Sequence, residues 1–342
     1  MTPEKVPSAL SSVIVRGTGV AASGCAHLLA AAGLNVTLSP ASRTAPVVML
    51  SDAALALLRD TFGRPDLLAG RPRIERRIVA WGDAEPVTLP HGGIVLSEGE
   101  LLAALGTSPA DAHRDKGGER FTIHAAPPFP PSELRSFGSR PASAARVRLL
   151  RPEDESACWI ESVEDGWLFM LPTGAGQGWL LAVGTPLASL SQRGHHLARR
   201  VEVMEVSLAQ FESAPRILTR LCGEDWLACG SVAIGFDPIC GDGTAQAIRE
   251  AILAAGVIAA IAEGGPRSDL LQHYESMLLA AMRRHLRLCA QFYASGGRSL
   301  WWQGQQAALA EGFDWCTRRL ASMPEPRFRL QDFRLLPLEL AT

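Results

Sequence analysis

Three features of this 342-residue sequence predict an α/β fold. A short β-branched strand at 13–15 runs into closely spaced glycines, an Ala-rich helix and a second strand at 35–38. Four segments between 146 and 183 alternate or run apolar, as antiparallel strands do. Small-residue helical text then fills 244–262 and continues to about 320. Composition permits the core such a plan needs: 47% hydrophobic against 20% charged residues excludes wholesale disorder. A net charge of -2 supplies no basic field for gripping nucleic acid.

The N-terminal unit reads Val13-Ile14-Val15, then Gly17-Thr18-Gly19-Val20-Ala21-Ala22, then a helix over 23–32 that stops at Gly33. Strand, glycine turn, helix and strand make a dinucleotide-binding βαβ unit. Gly17 makes the tight turn, Gly19 admits a phosphate to the backbone, and Ala22 lets helix and sheet pack closely. Free N–H groups at the helix start would receive the phosphates. The acid usual at the end of the second strand is replaced by Ser39-Pro40, so Ser39 offers one ribose hydrogen bond. Arg43 and Arg16 are the candidate cations near the phosphates.

Apolar spacing predicts a helix over 52–61 and strands at 78–81 and 94–96. Ser97-Glu98-Gly99-Glu100 opens another helix to about 105, its first turn acidic as helix N-termini favour. A polar loop over 107–120 leads to a strand at 121–124, and a Pro-rich elbow at 127–131 crosses to the next region. Strands at 146–150, 157–161, 167–171 and 179–183 form an antiparallel wall. One more strand at 227–229 precedes the helix over 244–262, whose apolar run is too short to read as a membrane span. The seven cysteines include no Cys-x-x-Cys pair, which predicts reduced thiols, no metal site and a cytoplasmic setting.

Residues 226–243 carry the most information. A strand ends at Gly230, a loop passes Asp237-Pro238, and Gly241-x-Gly243 opens the long helix, placing a second helix N-terminus beside a ligand. Together with the N-terminal turn, this resembles the FAD-dependent monooxygenases of the para-hydroxybenzoate hydroxylase type. Within them it looks like the branch of tryptophan halogenases and of flavoproteins that hydroxylate tryptophan in quinone-cofactor maturation. Gly230, Ala233, Asp237, Pro238, Gly241 and Gly243 match the late motif, with Ser231 standing where the family has Asp. Asp165-Gly166-Trp167-Leu168-Phe169-Met170-Leu171-Pro172 resembles the branch's Gly-Trp-x-Trp-x-Ile-Pro strand, and Phe292-Tyr293-Ala294 with Trp301-Trp302 resembles its aromatic C-terminal helices.

The resemblance implies a Rossmann-like three-layer FAD-binding domain from 1–125 and 215–265, a β-sheet substrate domain over 140–214, and a helical segment over 266–342. It implies FAD held by Gly17, Gly19, Ala22, Ser39, Arg43, Ser231, Asp237, Pro238, Gly241 and Gly243, with Trp167 and Phe169 in the substrate pocket or simply in the core. The implied reaction is hydroxylation of a small or peptide-borne aromatic or indole-like substrate through a flavin hydroperoxide. Electrons would come from NAD(P)H acting transiently or from a separate reductase, because no second nucleotide motif is visible. Halogenation in the family uses a lysine, and the chain's only two, Lys5 and Lys116, lie in a tail and a polar loop. Glu161, Glu164, His195 and His196 are the available bases. A non-oxygenating dehydrogenase and a non-catalytic partner protein remain the alternatives.

Overall fold

The computed structural model describes residues 10–41, 45–106, 119–130, 132–187 and 196–338. The first layer is a parallel four-stranded sheet. It contains β1 (Leu10–Arg16), β2 (Asn35–Ser39), β6 (Glu119–His124) and β14 (Trp226–Ala228) in the order β14-β6-β1-β2. Helix α1 (Val20–Ala31) connects β1 to β2, as the glycine turn predicts, but begins three residues early. Gly17 explains the tightness of that turn. Its φ is +134°, and a Cβ there would stand 2.7 Å from the carbonyl carbon of Ala125.

Strands β3 (Val48–Ser51), β4 (Arg73–Ala80) and β5 (Val87–Leu96) flank helix α2 (Asp52–Phe62). Helix α3 (Glu98–Leu105) follows. Ser51 caps α2, and Ser97 with Glu100 forms a reciprocal capping box on α3, so both helices satisfy their own first turns. After β7 (Leu134–Ser136) come β8 (Pro141–Leu149), β9 (Ala157–Val163), β10 (Gly166–Gly174), β11 (Gln177–Val183) and β12 (Val201–Glu212). These build one eight-stranded sheet ordered β12-β8-β11-β10-β9-β4-β5-β3. The four strands expected between 146 and 183 are all present. The sheet also recruits β3–β5 from the N-terminal half, through a parallel pairing of β4 with β9. Backbone groups along the outer edge of β9 need partners, and β4 supplies them.

β10 is buried on both faces and therefore divides two cores. Trp167, Phe169 and Leu171 join the large core with α1 and the C-terminal helices, while Leu168 and Met170 join a smaller one with Trp159 and Leu180. In a three-stranded sheet, β13 (Arg216–Leu218) pairs with β7 on one side and with β15 (Ile234–Gly235) on the other.

Helix α4 (Gly243–Ala262) packs on α1 at close range; a Cβ on Gly24 would stand 2.7 Å from Ile248 Cδ1. Of the helices among the described residues, α4 is long and apolar enough to cross a membrane, and 72% of its apolar window is buried in protein. The helical text after 266 divides at Gly297 into α5 (Arg267–Gly296) and α6 (Leu300–Ala321), where the Trp302 ring fills the space a side chain would need. A hairpin, β16 (Phe328–Gln331) and β17 (Arg334–Pro337), ends the fold.

Candidate functional site

One cavity of about 610 Å³ connects the two motifs read from the sequence. Thr18, Gly19 and the first residues of α1 line it, as do Gly230, Ser231 and the loop from Asp237 to the start of α4. Phe169, Leu171, Trp179, Leu181 and Phe211 of the eight-stranded sheet add an apolar wall, with Arg216 on β13. Neither α1 nor α4 has a side-chain cap. Their first N–H groups are therefore open to a ligand, unlike those of α2 and α3. The arrangement offers backbone donors at two helix starts and a hydrophobic surface of aromatic width.

The sequence-predicted residues separate into two groups. Gly19, Ser231, Asp237, Pro238, Gly241, Gly243 and Phe169 line the cavity. Gly17 and Ala22 stand behind that surface, shaping the turn and packing the helix, and Ser39 accepts no ligand-facing role in the lining. The Ser39 carbonyl instead receives the Gly17 N–H at 2.9 Å. Trp167 belongs to the core: it is fully buried and donates from Nε1 to the Tyr293 hydroxyl at 3.0 Å. Arg43, His195, Lys5 and Lys116 lie outside the described residues.

Asp237 lends its backbone to the cavity while its carboxylate points into a closed polar cluster. Arg140 Nη1 and the Tyr293 hydroxyl both donate to Oδ2 at 2.8 Å, and the Ile239 N–H donates to Oδ1 at 2.9 Å. Both side chains of the Arg140–Asp237 pair are fully buried. The Arg140 guanidinium also lies 4.5 Å from the Tyr293 ring, a cation–π contact. Burial raises the Asp237 pKa, against the pull of Arg140 and of two hydrogen bonds.

The backbone N–H of Asp237 donates to His285 Nε2 at 2.8 Å, and Phe236 stacks on that imidazole with centroids 4.0 Å apart. Burial, then Arg140, brings His285 down to about 3, so it is neutral and accepts through Nε2. His285, Cys289 and Cys240 gather their donor atoms within 4.8 Å. Cys289 Sγ lies 3.3 Å from His285 Nε2 and 3.7 Å from Cys240 Sγ, contacts that tie the loop to α5.

Two acids at the cavity were not singled out as ligand contacts by sequence reasoning. Glu250 of α4 is fully buried, accepting from the Gly230 N–H at 2.7 Å and from Gln246 Nε2 at 3.2 Å. Burial pushes it up to about 8, so it is mostly protonated at neutral pH. A carboxylate in the middle of the apolar 244–262 run was the available signal. Glu98 accepts from the Ala45 N–H at 2.5 Å, and its Oε1 lies 3.1 Å from where a Cβ on Gly19 would stand. Glu161, a candidate base, is buried on β9, accepts from the N–H groups of His196 and Leu197 and does not line the cavity. Glu164 and His196 are exposed and lie outside the lining as well.

No protein-family model matches the chain, and no curated protein matches it in sequence. Solved structures do match. A peptidyl tryptophan dihydroxylase essential for tryptophylquinone cofactor biogenesis, QhpG, superposes with a TM-score of 0.67 at 21% identity, covering 87% of this chain and 79% of that one. The flavin-dependent halogenase CmlS superposes at 0.71 with 17% identity, covering 96% and 75%. A flavoprotein/dehydrogenase from Cytophaga hutchinsonii gives 0.63 at 15%, covering 91% and 96%. The chain has the fold of these proteins. That agrees with the α/β plan and with the resemblance read from the two glycine motifs, since the matched structures include both the halogenase and the tryptophan-hydroxylating kinds.

Proposed function

We propose that this chain is an FAD-dependent oxidoreductase that hydroxylates an aromatic or indole-like substrate. The observation that carries the reading is the single cavity joining two uncapped helix N-termini to an apolar aromatic wall. Its donor chemistry fits an elongated dinucleotide. Backbone N–H groups at α1 suit phosphates, and the 238–244 loop with α4 suits the electron-rich ring. Gly17, Gly19 and Ala22 would shape and hold the nucleotide end. Ser231, Asp237, Pro238, Gly241 and Gly243 would hold the ring end.

When bound, FAD supplies the oxidising chemistry with dioxygen. The chain's residues position and desolvate. Phe169, Leu171, Trp179 and Leu181 exclude water and pack a flat substrate, and Arg140 with Tyr293 fixes the loop through Asp237. Among the described lining residues the titratable acids are Glu98, Asp237 and Glu250, and no His, Tyr, Cys or Lys joins them. The resemblance points to small-molecule or peptide-borne substrates and to a reductase or NAD(P)H as electron source, and we adopt both.

An absorption spectrum of the purified protein, with and without added FAD, tests the first step. A band at about 450 nm is expected, followed by substrate-dependent incorporation of oxygen from labelled dioxygen. Product formed without label would shift the reading to a dehydrogenase. Failure to take up FAD at any concentration would overturn the enzyme reading and leave a non-catalytic partner protein.

A further inference from the structure

Behind the 236–246 loop lies a second cavity, of about 370 Å³, that the proposed function does not use. Arg77 of β4 projects into it. Its Nη2 donates to His91 Nε2 at 3.3 Å and would stand 3.3 Å from a Cβ on Gly241. Its Nε is buried without a hydrogen-bond partner, and among the described residues no carboxylate pairs with it. Arg284, exposed on α5, lines the same cavity and likewise has no acid partner among the described residues. The acid at the rim, Asp242, is held by Arg249 at 2.7 Å. Burial and then Arg77 lower the pKa of His91, leaving that ring an acceptor for the guanidinium. Opposed to this charge is an apolar surface: Phe236 stacked on His285, with Ala281 and Leu288.

Two guanidinium groups without a counter-ion, beside a flat aromatic wall in a space of ligand size, are suited to one chemistry. Guanidinium binds a planar carboxylate through paired N–H donors, and the wall accepts an aromatic ring. We propose that this cavity binds the carboxylate end of an aromatic acid, with Arg77 and Arg284 as its anion clamp. The cavity shares Phe236, Gly241 and Gln246 with the larger one. A ligand anchored here therefore abuts the site assigned to FAD. The adjacency to FAD rests on the proposed function; the binding itself does not.

Calorimetric titration of the full chain, with and without FAD, tests it using indole-3-acetate, the neutral indole-3-acetamide and inorganic phosphate. The acid is expected to bind at least tenfold tighter than the amide. Arg77→Gln and Arg284→Gln are each expected to remove most of that preference while leaving amide binding and FAD uptake unchanged. Arg284 is exposed, so its variant remains informative if Arg77→Gln folds poorly. Equal binding of acid and amide, no binding of either, or phosphate binding as tightly as the acid would overturn the proposal. Loss of the flavin band with the acid preference retained would sink the flavoenzyme reading and spare this one.

Discussion

The turn at 17–20 and the loop at 236–243 line the same cavity, yet different physics holds each in place. The turn is set by local chemistry. Two glycines at positive φ and the helix that follows determine its path, and the Ala125 backbone fills the space a Cβ on Gly17 would take. The loop is set from a distance. Its Asp237 is held by Arg140 from β8's approach and Tyr293 from α5, and its backbone by His285. A site built this way keeps one invariant wall and one wall whose position depends on buried charge. The second should be the more fragile.

Breaking the distant anchor gives the largest expected effect. Arg140→Met leaves the Asp237 carboxylate buried without its cation, a change that costs about 3–5 kcal/mol in comparable pairs. Urea denaturation should show that loss, and FAD uptake should weaken with it because the loop is released. If the variant keeps both its stability and its FAD uptake, the loop is held by its backbone after all and the contrast with the turn disappears.

Glu250 gives a second, pH-dependent handle on the late motif. Its folded pKa near 8 lies above the ordinary value of 4.5, so the folded protein retains a proton that the unfolded chain releases. Stability from this group is therefore present below about pH 4.5 and is lost as pH rises toward 8, at about 1.4 kcal/mol per pK unit. Glu250→Gln removes that loss. Its urea midpoint should match wild type near pH 4.5 and exceed it progressively up to pH 8. A constant offset across this range would show that Glu250 does not carry the shift.

The contrast between the two loops also explains what the sequence made legible. Gly17, Gly19 and the helix after them announce themselves because turn chemistry is local. The four strands between 146 and 183 do so because burial sets their pattern. Arg140 is one arginine among 31, and nothing nearby marks it as the partner of a residue 97 positions later. Trp167 was readable as core or pocket, and only the fold decides between them, by placing Tyr293 under its indole nitrogen. β12 begins with Val-Glu alternation, but a register shift between Val203 and Glu205 breaks the period. The partners of β4 were equally hidden, because a parallel pairing with β9 leaves no mark on either strand alone.

Glu98 offers the smallest effect and the finest test of the local turn. Its carboxylate stands beside Gly19, where a phosphate on the α1 N-terminus would meet like charge. A glutamine can still accept the Ala45 N–H, so Glu98→Gln removes charge while preserving the contact. FAD affinity is expected to rise five- to tenfold, about 1 kcal/mol for a partly exposed charge, and the gain should shrink as salt is raised. Glu100→Gln is the control: Glu100 is held down to about 2 by the Ser97 N–H and then Arg71, and it serves the α3 capping box rather than the cavity. That variant should lower stability slightly and leave FAD affinity alone. Weaker binding in Glu98→Gln would instead mean that Glu98 accepts from a ribose hydroxyl, supplying from α3 the acid that Ser39 no longer provides at the end of β2.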